Sequence, residues 1–95
     1  MKKLNTKEIN QKLTSMTEWA LKNDALEKTL YFKDFKDAMS AMQRIAFEAE
    51  RLNHHPEWFN VYNKLNIRLR THDSNGITNK DFQLAEAIDE IMNLK

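Results

Sequence analysis

A long amphipathic run, residues 34–53, constrains the fold of this chain more than any other feature. Its apolar side chains recur at steps of three and four residues, which is the spacing of one face of an α-helix. They are Phe35, Ala38, Met39, Met42, Ile45, Ala46, Ala49 and Leu52. Pro56 disfavours helical dihedrals in the residue before it, so the helix must end by His55. The pattern predicts one long helix that packs by a single face across a sheet.

Two short strand-like runs, 18–22 and 25–33, precede this helix. We expect them to form a hairpin about Asn23 and Asp24, because both residues tolerate the dihedrals of a tight turn. Lys28 interrupts the apolar face of the second run. This position indicates either a strand near the edge of the sheet or a lysine whose ammonium extends past the core.

Two further runs, 59–62 and 65–71, follow the long helix and predict a second hairpin. The connecting loop decides which side chains face each other. A three-residue loop, which we prefer, would place Phe59 opposite Ile67, whereas a two-residue turn would place Asn60 there. The last strand alternates apolar and polar residues, which indicates one buried face and one that is wet or contacts a partner.

A short helix is predicted near the start of the chain and a further helix at its end. Asn5 can cap the first while Glu8 reaches back to it, and Thr78 can cap the last with Asp81 in the capping-box position. The order is helix, hairpin, helix, hairpin, helix. It predicts the α+β class, as a single two-layer domain over residues 1–95 with a four-stranded antiparallel sheet and the helices packed on one face.

Length and charge limit the classes of function. A chain of 95 residues supports one hydrophobic core and is marginal alone, so dimerisation is a reasonable expectation on stability grounds. Lysine plus arginine number 15 against 14 aspartate plus glutamate, which leaves no basic footprint for nucleic acid. We expect no membrane span, no secretion signal and a cytoplasmic protein. The absence of cysteine excludes disulfides and thiolate chemistry.

The segment 50–81 holds all three histidines, the only proline and the only glycine. His54 and His55 fall at the end of the long helix, and His72 falls at the end of the last strand. Imidazole titrates near neutral pH, so histidines that converge on one pocket can donate and accept protons. Three imidazoles can also bind zinc. Adjacent side chains tend to diverge, however, so we predict neither a metal nor an organic cofactor.

The spacing of these residues resembles the signature of the pterin-4a-carbinolamine dehydratase family. The signature runs through Glu50, three residues, His54-His55-Pro56, five residues, Tyr62, nine residues, His72, eight residues and Asp81. The runs HHPEWFNVYNKL and RTHD are also similar to that family. The resemblance extends to the element order of nearly the whole chain, and only the first helix has no motif to support it.

The resemblance implies an enzyme that removes water from a 4a-hydroxytetrahydropterin and leaves the quinonoid dihydropterin, as in the recycling of tetrahydrobiopterin. An aromatic amino acid hydroxylase would be the functional partner, because it releases the carbinolamine. Family members form homodimers or homotetramers with sheets joined across the interface. Some relatives instead act as dimerisation cofactors of a transcription factor, so a non-enzymatic binding module is the alternative.

The resemblance also implies the roles of individual residues. His54 would be the general acid/base nearest the leaving hydroxyl, His72 its counterpart on the other side, and His55 would position the pterin. Glu50 would orient an imidazole. Residues expected to contact the substrate beside these histidines are Asn53, Pro56, Thr71, Asp73 and Ser74, with Trp19 and Trp58 as candidates for an aromatic wall.

Two positions depart from the family pattern. Asn53 stands where members carry aspartate, and Arg70 stands where members carry a small residue. An asparagine keeps hydrogen-bonding groups but has no charge. We therefore expect activity to be retained with altered affinity.

Overall fold

Helices and strands follow one another in the predicted order. A computed structural model describes residues 2–93. The elements are α1 Thr6–Leu13, β1 Ala20–Lys22, β2 Ala25–Tyr31, α2 Phe35–Leu52, β3 Glu57–Val61, β4 Lys64–Leu69 and α3 Asn79–Asn93. A short 3-10 turn, His72–Ser74, connects β4 to α3. Over the part of the chain that is described, no helix is both long enough and apolar enough to span a bilayer.

The four strands form one antiparallel sheet in the order β1-β2-β4-β3. Leu65, Ile67 and Leu69 alternate along β4 and are fully buried in the same core as apolar residues of α2 and α3. The intervening residues of β4 lie on the other, more exposed face. The predicted α+β class with its four-stranded antiparallel sheet is confirmed.

The long helix α2 begins after one capping residue, Asp34, and ends at another, Asn53. The Asp34 side chain accepts a hydrogen bond from the amide of Asp37 at 2.9 Å. At the other end Asn53 adopts the left-handed conformation with φ of 52°. Asparagine is one of the few residues other than glycine that tolerates this conformation. The amide of His54 then donates back to the carbonyl of Ala49 at 2.9 Å, which turns the chain out of the helix.

The predicted register of the second hairpin was wrong. The connecting turn has two residues, Tyr62 and Asn63, so Trp58 rather than Phe59 pairs with Ile67. A shift of one residue moves every side chain of a strand to the opposite face. Trp58 therefore packs against the core, and Phe59 is 67% exposed. Tyr62 accepts a positive φ of 50°, which shows that a bulky aromatic can occupy a turn position usually given to glycine or asparagine.

The first hairpin turns at Asn23 and Asp24, as predicted. Both residues have positive φ, 50° and 63°, as a two-residue turn of type I′ requires. Lys28 lies on β2, which pairs with both β1 and β4 and is therefore an interior strand of the sheet. Its ammonium reaches past the core to the carbonyl of Thr17 and to Asp89, which is the second of the two arrangements expected.

Replacement of Asp89 by alanine is expected to lower the free energy of unfolding by about 2 kcal/mol. The Asp89 carboxylate accepts hydrogen bonds from Lys28 Nζ and from the indole of Trp19, each at 3.0 Å. Lys28 is only 10% exposed at its side chain, so the substitution would leave an ammonium with little access to water. Urea denaturation measures the change. The exposed Glu86 on the same helix is the matched control, and an equal loss in Glu86→Ala would contradict the prediction.

Candidate active site

The end of α2 and the end of β4 meet at a pocket of about 240 Å³. The residues that line it are Asn53, His54, His55, Arg70, Thr71, His72 and Asp73. The two segments come together because β3 begins just after the histidine pair and runs antiparallel to β4, with Glu57 opposite Arg68. All three histidines of the chain therefore converge on one pocket wall.

His54 is held inside the protein by a buried carboxylate. Its Nε2 lies 2.6 Å from Oδ1 of Asp81. The side chain of His54 is 10% exposed and that of Asp81 is completely buried. A buried carboxylate needs donors to stabilise its charge, and the imidazole supplies one of them.

Asp81 also holds both ends of the segment that connects β4 to α3. Its Oδ2 accepts hydrogen bonds from Thr71 Oγ1 and from the amide of Thr78, each at 2.9 Å. The Thr71 hydroxyl has one hydrogen, which it donates to Asp81. In the 2.8 Å hydrogen bond between the two threonine hydroxyls, Thr78 is therefore the donor. Thr78 Oγ1 accepts from the amide of Lys80 at 3.2 Å. The hydrogens of both threonine hydroxyls are thus assigned, and Oδ2 of Asp81 accepts from Thr71 and from Thr78.

The hydrogen between His54 and Asp81 is assigned to the imidazole, since two other donors already stabilise the negative charge of this carboxylate. Nε2 of His54 is therefore the nitrogen that donates to Asp81. The other ring nitrogen, Nδ1, is left for interactions outside this pair. A partner on one nitrogen commonly determines which role the other can take.

The other two histidines have exposed carboxylate partners. His55 Nε2 lies 3.0 Å from Glu50 Oε2, with side chains 57% and 77% exposed. His72 Nε2 lies 3.0 Å from Glu57 Oε2, and the His72 side chain is 66% exposed. Glu57 also contacts Arg68 at 3.5 Å. These two imidazoles are open to solvent, whereas His54 is exposed only over the small part of its side chain that lines the pocket.

Each imidazole thus faces a different carboxylate. Within residues 2–93 no group of three or more histidine, aspartate or glutamate side chains is arranged to hold a metal ion. Three separately oriented imidazoles at one pocket can deliver a proton at one position of a bound molecule and remove one at another. The arrangement is therefore suited to general acid/base chemistry on a small molecule.

Most of the predicted site residues are brought together. Those that line the pocket are Asn53, His54, His55, Thr71, His72 and Asp73. Glu50 is not part of the lining but contacts His55. Pro56 and Ser74 lie beside these residues in sequence, but the pocket lining contains neither of them.

The two tryptophans are not brought to the pocket. Trp19 is 5% exposed, belongs to the core and donates its indole hydrogen to Asp89. Trp58 is half-buried and packs against the core from β3. An aromatic wall built from these side chains would require a substrate that reaches beyond the pocket lining of this chain.

Sequence reasoning missed two partners of the histidines. Asp81 was interpreted as a helix cap, which it is, but it also holds His54. Its position in the motif spacing, without any role assigned to it, was the signal that could have identified it. Glu57 follows Pro56 directly and carries no such signal, since its contact with His72 depends on the pairing of β3 with β4.

A second concavity lies between α2 and α3 and is larger, about 330 Å³. Arg44, Phe47, Glu48, Ala87, Glu90 and Ile91 line it. Its lining has no histidine and mixes apolar side chains with exposed charges. The histidine pocket is therefore the better candidate for chemistry, although it is the smaller of the two.

Comparisons with known proteins match nearly the whole chain. Residues 2–91 match the family model described as Pterin 4 alpha carbinolamine dehydratase. A protein of Christiangramia forsetii named "Putative pterin-4-alpha-carbinolamine dehydratase" is 47% identical over 97% of this chain and 95% of its own length. A protein of the same name from Opitutus terrae is 53% identical over 88% of each chain. A Brucella melitensis crystal structure described as a transcriptional coactivator/pterin dehydratase is 37% identical, with a TM-score of 0.90 over 94% of this chain and 97% of its own.

Proposed function

Because this chain belongs to the pterin-4a-carbinolamine dehydratase family and is an enzyme of the lyase class, we propose that His54 and His72 transfer the protons of the dehydration. The observation that carries this proposal is the pocket in which three imidazoles face one cavity, each beside its own carboxylate. The substrate is a pterin 4a-carbinolamine. No metal or redox step is needed, because the reaction is a loss of water.

The reaction balances with protons alone. The hydroxyl on C4a takes up a proton and leaves as water when the C4a–O bond breaks. The electron pair of the neighbouring ring nitrogen forms a new C=N bond, and a ring N–H proton is then lost to a base. Imidazole performs both transfers near neutral pH. His54, as the imidazolium with its second hydrogen on Nδ1, protonates the leaving hydroxyl, and neutral His72 takes the ring proton. Return of one proton from His72 to His54 through solvent completes the cycle, so the net change is one water released per pterin.

The remaining residues of the pocket bind and orient the substrate. His55, paired with Glu50, positions the pterin ring. Asn53 supplies hydrogen-bonding groups to the lining, Asp73 supplies an exposed carboxylate, and Thr71 contributes to the wall while its polar groups bond within the protein. Asn53 carries an amide in place of the family's carboxylate, so it hydrogen-bonds the ring without adding negative charge.

Asp81 acts through His54. The carboxylate keeps the hydrogen of the imidazole on Nε2, which leaves Nδ1 of His54 as the nitrogen that exchanges a proton with substrate. It also stabilises the cation that forms when His54 is protonated. Thr71 and Thr78 hold the carboxylate in place. Asp81 is therefore a positioning residue, and His54 is the group that contacts the pterin.

The test is a stopped-flow measurement of the decay of enzymatically generated 4a-carbinolamine, with and without the protein. Decay faster than the spontaneous rate, in proportion to protein concentration, is the expected result. The same rate in both samples would reject dehydratase activity. Generation of the carbinolamine by an aromatic amino acid hydroxylase also tests the proposed functional partnership, because a dehydratase that serves such an enzyme should restore its pterin at low pterin concentration.

We also propose that the protein assembles as a homodimer or homotetramer. β3 lies at one edge of the sheet, and Phe59 and Val61 on it are 67% and 52% exposed. Apolar side chains on an edge strand favour pairing with another chain. Light scattering is expected to give the mass of two or four 11.3 kDa chains. Replacement of both Phe59 and Val61 by lysine should lower this mass toward that of one chain. A monomer mass for the unaltered protein would contradict this.

A second candidate function is that of a binding module for a transcription factor. The Brucella melitensis protein that shares this fold is described as a transcriptional coactivator as well as a pterin dehydratase. Phe47 beside the groove between α2 and α3 is 74% exposed, which offers a contact for a partner helix. Stable capture of a protein partner, with no acceleration of carbinolamine decay, would favour this function over catalysis.

A further inference from the structure

The histidine pocket contains one permanently charged cation. Arg70 lines it beside the three imidazoles, Asn53 and Thr71. Guanidinium stays protonated at any physiological pH. The one carboxylate of the lining, Asp73, is exposed, so water screens its charge. Arg70 is less exposed, with 21% of its side chain accessible, and its charge acts in a less polar environment.

The neighbours of Arg70 leave much of its hydrogen-bonding capacity unused. Both of its hydrogen bonds leave from Nη2, one to the neutral Oδ1 of Asn75 at 2.9 Å and one to Asp24 at 3.4 Å. The Asp24 side chain is 56% exposed, and an ion pair this long and this exposed neutralises little charge. Nε of Arg70 is buried and has no hydrogen-bond partner among the described residues.

The backbone beside Arg70 is fixed. Thr71, the next residue, is buried and bonded to Asp81, and its amide donates to the carbonyl of Gly76 at 2.7 Å. The backbone of Arg70 is therefore held at the pocket wall, and the 2.9 Å hydrogen bond from Nη2 to Asn75 orients the guanidinium before any ligand binds. A preorganised charge binds its ligand with a smaller entropic cost than one on a mobile segment.

From these observations we propose that Arg70 determines substrate specificity, by selecting pterins whose side chain carries a carboxylate or a phosphate. The planar guanidinium matches both anions. The imidazoles bind the ring, and Arg70 binds the anionic substituent at the edge of the pocket. The inference rests on the proposed pterin dehydratase function and specifies its substrate class.

Fluorescence titration with three oxidised pterins tests this inference. The ligands are 6-carboxypterin, the phosphate ester of 6-hydroxymethylpterin, and neutral 6-hydroxymethylpterin. The unaltered protein is expected to bind at least one anionic pterin about tenfold more tightly than the neutral one, the value of about one charge-assisted hydrogen bond. Comparison of the two anions distinguishes carboxylate from phosphate recognition.

The variants separate charge recognition from structure. Arg70→Ser should abolish the preference for the anion and leave affinity for the neutral pterin within about twofold. Arg70→Lys keeps the charge without the planar fork and should retain part of the preference. Arg44→Ser removes the same charge at the other groove and should leave the preference unchanged.

Each outcome decides between the two proposals. Equal affinity for charged and neutral pterins, or equal weakening of both by Arg70→Ser, would overturn the role of Arg70 and leave the dehydratase proposal intact. Failure of the unaltered protein to bind any of the three pterins would instead reject the pterin site itself. A preference that survives Arg70→Ser would assign anion recognition to another residue and also reject this inference.

Discussion

Replacement of His54 by glutamine together with His72 by alanine is expected to slow carbinolamine dehydration by at least 10² to about 10⁴-fold, the usual contribution of a general acid/base. Glutamine at position 54 keeps an amide donor for the buried Asp81 carboxylate, which alanine would leave without its 2.6 Å partner. Stopped-flow decay of the carbinolamine gives the rate. Circular dichroism verifies that the variant is folded.

The single variants, His54→Gln and His72→Ala, measure how much of the dehydration rate depends on each histidine. Effects of residues that act in one step are not additive, so each single loss should approach the loss in the double variant. Glu86→Gln, an exposed change on α3, is the control and should keep the full rate. Acceleration that persists in the double variant would reject catalysis by His54 and His72 while leaving the family assignment unaffected.

Replacement of Asp81 by asparagine is expected to reduce the dehydration rate by about 10² to 10⁴-fold, because it reverses the tautomer of His54. Oδ2 of Asp81 accepts two hydrogen bonds, from Thr71 and from the amide of Thr78. The amide oxygen of an asparagine will remain on that side, so its NH₂ group will face His54 Nε2. Two donors cannot pair, and the imidazole hydrogen must move to Nδ1.

A spectroscopic readout separates this effect from simple loss of structure. Nitrogen-15 NMR should place the hydrogen of neutral His54 on Nε2 in the unaltered protein and on Nδ1 in Asp81→Asn. The free energy of unfolding should be about 1 to 3 kcal/mol lower in this variant, the range for disturbing one buried hydrogen bond. Asp89→Asn, on the same helix but outside the pocket lining, is the control. An unchanged tautomer with an unchanged rate would show that Asp81 is structural only.

Local patterns were sufficient to predict most of the fold. The period of the apolar residues in α2 and the stop imposed by Pro56 act through neighbours in the chain, so they can be interpreted without any tertiary contact. The turn at Asn23 and Asp24 is local for the same reason. These elements were predicted with boundaries close to those observed.

The register of the second hairpin could not be predicted in this way. Both candidate registers, with Phe59 or Asn60 opposite Ile67, were compatible with the alternation of β4, since Leu65, Ile67 and Leu69 face the core in either. The observed register is neither of them, because it places Trp58 opposite Ile67, where Trp58 packs against the core and Phe59 is left exposed. That arrangement is a property of the packed layers, which no local pattern contains.

The site, like the fold, was predicted only in part from local patterns. Motif spacing identified His54, His55 and His72, and the prediction that they share one pocket agrees with the lining observed. The sequence did not predict how the environments of the three histidines differ. Side-chain exposure runs from 10% at His54 to 66% at His72. This contrast arises only when Asp81 of α3 packs against His54 and leaves His72 in the exposed turn after β4.

By itself, the sequence determined the element order, the helix caps, the location of the histidines and the family to which they point, because these depend on residue type and on contacts a few residues apart. Only the tertiary structure decided the partners of the histidines. Asp81 is 27 positions from His54, and Glu57 is brought to His72 by strand pairing. A carboxylate controls an imidazole through distance and burial, and both are established when the layers pack.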